Sequence, residues 1–245
     1  MYNPEFPELE SVVFMLMTFG LIIFLLLMVR HAMRSLNIAE ADRRNTLRRI
    51  GIPLILWLGA LRQLSGMHFF DNWSAVPPRI FFMVAPAMLV VILFMFSKKY
   101  ALYLKATPAY WLVGIQSFRI IMEWVLWSLS DQGIVPVQMS WEGRNFDILS
   151  GIFGLILFLV MRKKQISGNL LLAYNFLGIG LLLNVLIIGL LSTPSPFRVF
   201  MNEPANTFIA YFPFCWLPAF VVPFAFLMHF SSIKKYYMEK NLLTT

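Results

Sequence analysis

Residues Ala109 to Ser130 read AYWLVGIQSFRIIMEWVLWSLS. A helix needs about 20 mostly apolar residues to cross a bilayer, and this stretch qualifies except at Gln116, Arg119 and Glu123. At about 100° per residue those three positions fall within a sector of roughly 60°, so they look the same way. An ionised group in hydrocarbon costs about 3 kcal/mol or more unless it is paired or wetted. Such residues face the protein interior and mark a candidate site.

The rest of the chain agrees with a bilayer as solvent. Of 245 residues, 59% are hydrophobic and 13% charged, where a soluble domain carries about 45–50% and about 25%. The formal net charge is +8, but the charges sit between apolar runs rather than on one amphipathic face, which argues against nucleic acid as a partner. Cys215 is the single cysteine, so no intrachain disulfide is possible. His31, His68 and His229 lie in different segments, and no metal or cofactor is expected from that spacing. The first apolar run follows Glu5, Glu8 and Glu10. A secretory signal would open on basic residues, so this run reads as a retained helix.

Seven segments are predicted to span: 11–29, 50–70, 80–97, 109–130, 147–162, 170–191 and 207–230. Arg62, Gln63 and His68 interrupt the second, and the fifth is the shortest. Fifteen basic residues fall on one side: Arg30, Arg34, Arg43, Arg44, Arg48 and Arg49; Lys98, Lys99 and Lys105; Arg162, Lys163 and Lys164; Lys234, Lys235 and Lys240. Arg79, Arg144 and Arg198 are the three on the other. The positive-inside rule then places the N-terminus outside and the C-terminus in the cytoplasm. The first inner loop reads either as topogenic charge or as a basic stretch lying on anionic headgroups. The outer loops hold Pro77, Pro78, Pro136, Pro194, Pro196 and Pro204; proline fixes φ, so ordered caps are expected. Trp73 and Trp141 suit the interfacial belt.

On this topology Gln116 lies near mid-membrane and Glu123 in the outer half. Arg119 and Glu123 are four apart, the spacing at which helix side chains meet, so a mutual ion pair is one reading and a structural staple the bland one. Other polar residues share that depth: Arg62, Gln63 and His68 on the second span, Asn184 on the sixth, and Arg144, Asn145 and Asp147 at the entry of the fifth. Convergence of these faces gives an outward-facing pocket whose spare positive charge suits a carboxylate, phosphate or lipid headgroup. If Asp147 pairs with Arg62 instead, the pocket is closed and neutral. Pro213, Pro218 and Pro223 are expected to kink the last span and drive it against protein, since freed carbonyls need partners in lipid. Gly151, Gly154, Gly178 and Gly180 read as close helix contacts. Asn175 is expected to bond between helices, and His229 to lie at the interface.

The runs Gly114 to Glu123, Pro136 to Met139 and Glu142 to Asp147 (EGRNFD), with Asn206, Phe212-Pro213, Trp216 to Pro218 and Val222-Pro223 to His229, resemble a family of uncharacterised bacterial multispan membrane proteins. The resemblance covers residues 110–235. It implies a bacterial cytoplasmic (inner) membrane and no established activity.

The chain is thus expected to be an all-α, polytopic seven-helix membrane bundle forming one domain over residues 1–245. Its leading function is binding of a small polar or anionic ligand in an outward-facing pocket, as a carrier or sensor. The alternative is a non-catalytic scaffold or complex subunit. The third is a membrane enzyme acting on a lipid headgroup, with Glu123 or Asp147 as base, although no catalytic motif is present.

Overall fold

The computed structural model describes residues 6–243, so Glu5 lies outside the described residues. These residues form α1 (Glu8–Ser35), α2 (Glu40–Gly66), α3 (Phe81–Phe96), α4 (Lys98–Lys105), α5 (Ala109–Gly114), α6 (Phe118–Asp131), α7 (Ile148–Met161), α8 (Gly168–Leu191) and α9 (Val222–Leu243), with short 3₁₀ and π turns between some of them and no strand. The fold is all-α. Among the described residues four helices are long and apolar enough to cross a membrane: Glu8–Ser35, Ala109–Asp131, Gly168–Leu191 and Leu217–Lys240. A fifth results if α3 and α4, bent by 73° at Ser97, are taken as one span.

Two of the seven predicted segments fall outside that test. α2 has the length, at 27 residues, but carries Arg43, Arg44, Arg48, Arg49 and Arg62. α7 has the apolarity but only 14 residues, a rise of about 21 Å. The first inner loop also shrinks, because α1 runs on to Ser35 and α2 begins at Glu40; all six of its arginines are helical. The largest boundary correction is in the last segment. Residues 207–216 do not begin that helix: Phe208–Ala210 is a 3₁₀ turn, and the continuous helical stretch starts with a π turn at Leu217–Val221.

Three helices stop in the same way. After α1, α2 and α6 one residue turns left-handed: Asn37 (φ 53°), His68 (φ 56°) and Gly133 (φ 68°). In each case the following amide bonds back to the carbonyl five residues earlier: Ile38 to Met33, Phe69 to Leu64 and Ile134 to Leu129. This closure satisfies carbonyls that the helix end would otherwise orphan. Ser97 and Ser167 cap the starts of α4 and α8 by accepting from the amides of Tyr100 and Leu170.

Apolar side chains cover the outside as well as the inside. Leu9, Leu16, Ile23 and Leu27 are exposed along α1, as are Leu89, Val90, Leu93 and Phe96 on α3 and Ile152, Ile156 and Leu159 on α7. Exposed apolar stripes of this length suit hydrocarbon rather than water. The centre of the bundle is the last helix. Within its apolar window 78% is buried, against 33% for α8 and 44% for α1. The expectation that the proline-bearing span packs against protein holds, and the freed carbonyls have partners. Pro223 cannot donate to Ala219 O, and Trp57 Nε1 donates to it instead, at 3.2 Å. Leu217 N takes Phe214 O at 2.9 Å, the carbonyl that Pro218 leaves. The preceding turn is stitched to α2 by Ser65, which donates to Ala210 O (2.9 Å) and accepts from Phe212 N (2.8 Å). Trp57→Phe keeps the ring but orphans the Ala219 carbonyl, so it is expected to destabilise the protein by about 1–2 kcal/mol in denaturant titration.

The loop after α8 is ordered by Arg198, which donates to Phe200 O, Asn202 O and Glu203 Oε1 at 2.8–2.9 Å. The Arg198 hydrogen bond holds the Glu203 carboxyl below the usual range.

Candidate functional site

The helix through 109–131 is not uniform: Ile115–Ser117 tightens to a 3₁₀ turn. Gln116 therefore sits on a different screw from Arg119 and Glu123, and donates to Ala225 O of α9 at 3.1 Å. Arg119 and Glu123 are each 2% exposed. They are not paired with each other. Arg119 Nη1 donates to Asp147 Oδ1 at 2.7 Å, across to the start of α7, and lies 3.4 Å from Gly178 O of α8. Neither expected partner of these ions is the observed one, since Asp147 was the alternative mate of Arg62.

Asn145 organises the carboxylates. Its amide donates to Glu123 Oε2 (2.6 Å) and to Met139 O (2.9 Å), while its carbonyl oxygen accepts from Asp147 N (3.0 Å). One buried side chain thus fixes Glu123 and sets the turn that presents Asp147 to Arg119. Arg119, Glu123, Asn145 and Asp147 line a cavity of roughly 40 Å³, whose remaining walls are apolar. Arg119 Nε and Nη2 and Glu123 Oε1 are buried there with no protein partner.

A family model described as a domain of unknown function, DUF8737, matches residues 77–236. The chain belongs to the DUF8737 family. No curated protein and no solved structure matches it. The DUF8737 match takes in all four residues of the cluster together with α8 and most of α9, and it begins after α2.

Arg62, Gln63 and His68 thus precede the DUF8737 match, and they also stand apart from the cluster. Arg62 and Gln63 are exposed, and the Arg62 guanidinium stacks 4.9 Å over the Phe212 ring. His68 is the left-handed closing residue of α2, with Nδ1 2.7 Å from Asp71 Oδ2. Arg144 is exposed and lies over Phe200 at 5.4 Å. Asn184 donates to Arg144 O at 2.8 Å, tying α8 to the 140–147 turn rather than facing the cavity.

A second polar group lies within DUF8737: the interhelical bond expected of Asn175 is present, but the sequence reading missed that His229 belongs to it. His229 is buried, not interfacial. Its Nδ1 lies 3.0 Å from Asn175 Oδ1, and Asn175 Nδ2 donates to Ser232 Oγ and Leu171 O. With the amide committed as donor, the oxygen is the acceptor and His229 Nδ1 carries the proton. His229 Nε2 and Ser150 Oγ have no protein partner. Gly178 joins this group to the cluster: a Cβ there would lie 2.4 Å from His229 Nε2 and 2.9 Å from Ser150 Oγ, while its carbonyl faces Arg119. Gly154 is also a close contact, against Tyr174 Oη and Val113 O, but Gly180 faces open space. The signal available was Asn175 with Gly178 one turn on, which puts an amide and a missing side chain on one helix face.

Proposed function

We propose that the protein is a seven-span bacterial inner-membrane protein, N-terminus outside and C-terminus cytoplasmic, that acts as a carrier or sensor for a small polar ligand held by Arg119, Glu123, Asn145 and Asp147. The fifteen-to-three charge asymmetry supports the topology. The single observation that carries the ligand site is the set of unpartnered buried atoms: two nitrogens of Arg119 and one oxygen of Glu123 around a shared cavity. A buried polar atom without a partner costs about 1–3 kcal/mol, so the site is built to receive something that accepts from Arg119.

Charge balance narrows the chemistry. Without Arg62 the cluster holds one guanidinium against two carboxyls, which no longer favours an anion. A neutral polar group that both accepts and donates suits it better. The cavity has room for water, which would complete the hydrogen bonds. A larger ligand requires α6 to move away from α8 and α9, and the 3₁₀ turn at Ile115–Ser117 is where that helix departs from α geometry.

The water-sized cavity also favours a second reading, a non-catalytic scaffold in which the cluster is a hydrated staple. Thermal melts of the purified protein against small neutral amides, polyols and amino acids separate the two. A binder present at 100 times its Kd adds about 2.7 kcal/mol, and Glu123→Leu is expected to abolish that shift. A panel that shifts the parent and the variant equally, or neither, would overturn the ligand reading.

A further inference from the structure

A cavity larger than the polar one lies between other helices of the bundle. α2 and α3 splay apart, and the gap between them is a groove of roughly 330 Å³ floored by α9 and Leu25 of α1. Its walls are apolar: Pro53, Leu54 and Trp57 on one side, Ala87, Val90 and Phe94 on the other. Along α2 it runs from Arg49 to Trp57, a rise of about 12 Å. Arg49 is its single charged lining residue, exposed, with no hydrogen bond or ion pair among the described residues.

The Arg49 end is also the basic end of the groove. Phe94 stacks on Tyr100, whose hydroxyl meets Ser231, and Lys234 donates to Met95 O, so the α3–α4 corner with Lys98 and Lys99 closes on α9 beside it. Arg48 is exposed next to Arg49 on α2. An apolar slot along a membrane helix, ending in an unpaired guanidinium among other cations, is complementary to an amphiphile with an anionic head.

We propose that this groove binds one acyl chain of an anionic phospholipid, with Arg49 holding the phosphate. Hydrocarbon fills the slot between α2 and α3, and the phosphate neutralises a guanidinium that the protein leaves without a counter-ion. The site is independent of the Arg119 cluster and survives if the ligand reading above fails.

Trp57 gives a direct readout, because it lines the end of the groove away from Arg49. The full chain is placed in nanodiscs of phosphatidylcholine containing increasing fractions of brominated-chain phosphatidylglycerol or brominated-chain phosphatidylcholine. The Trp57 signal is taken as the difference between the parent and Trp57→Phe. Each membrane-proximal basic residue favours an anionic lipid by about 1 kcal/mol, so half-quenching is expected at about five-fold less phosphatidylglycerol than phosphatidylcholine. Arg49→Gln is expected to make the two lipids equal, while Val90→Phe, which fills the slot, lowers quenching by both. Equal quenching of the parent by both lipids, or a preference unchanged in Arg49→Gln, overturns the proposal. A Trp57 signal untouched by Val90→Phe also overturns it, by placing the chain outside the groove.

Discussion

Asp147→Leu is expected to destabilise the protein by about 3–5 kcal/mol, the cost of stranding a buried ion by removing its partner. Arg119 is almost wholly enclosed and, among the described residues, pairs with one carboxylate, at 2.7 Å. Glu123 lines the same cavity but forms no ion pair with Arg119, and its Oε2 is held by Asn145 at 2.6 Å. Asp147→Asn keeps an oxygen acceptor and is expected to cost less than the leucine. Removing the charge as well, in Arg119→Met with Asp147→Leu, should recover most of the loss, since a well-packed apolar pair replaces a buried ion pair at little net cost. Unfolding titrations in mixed micelles measure all three. A leucine variant within about 1 kcal/mol of the parent, inside the range typical of an exposed pair, would mean that Arg119 is hydrated well enough to do without a partner.

Gly143→Ala is expected to be comparably damaging although it adds one methyl. A Cβ at that position would lie 2.3 Å from Val137 O and 2.5 Å from Gln138 Cα. These are backbone atoms and cannot rotate away, so the turn must open. The turn contains Asn145, whose amide N bonds to Ser140 O and whose side chain grips Met139 O and Glu123. Overpacking costs about 1–3 kcal/mol, and each buried hydrogen bond broken adds about 1–3 kcal/mol. A loss of about 3 kcal/mol or more is expected, with the Arg119–Asp147 pair misplaced as well. Gly20→Ala is the matched control. It sits mid-helix with nothing within 4 Å of the new methyl and is expected to be neutral or to stabilise by up to about 1 kcal/mol. Thermal melts of the two variants side by side test the contrast.

Those variants also mark what the sequence makes legible. Uninterrupted apolar runs such as those of α1 and α8 are visible because hydropathy over some twenty residues integrates many weak signals. The buried stripe of Gln116, Arg119 and Glu123 is visible for the opposite reason, that three polar residues in such a run have few places to go. Partner choice is not local. The spacing of Arg119 and Glu123 favours a pair on one helix, yet Asp147, 28 residues away, is brought closer by a turn that depends on Asn145 and Gly143. The stretch 207–216 is apolar enough to pass for helix, but its backbone closes in short turns (Ala210 N to Thr207 O, Tyr211 N to Phe208 O, Cys215 N to Tyr211 O), and Ser65 takes the Ala210 carbonyl and the Phe212 amide. Arg62 and His68 looked convergent because depth was read without azimuth; their helix turns them toward Phe212 and Asp71.

The burial of α9 at the centre has a consequence for how the molecule is made. Helices enter a membrane in the order in which they are synthesised, and the helix that completes the interior is the last of those described here. Until it and the π turn leading into it arrive, Gln116 lacks the Ala225 carbonyl, Trp57 lacks Ala219 and Asn175 lacks both Ser232 and His229. Each half-built intermediate therefore exposes polar side chains to lipid at the positions that later hold the bundle shut. A nascent chain stalled before Leu217 carries Gln116, Asn175 and the Trp57 indole without the partners that the finished fold gives them.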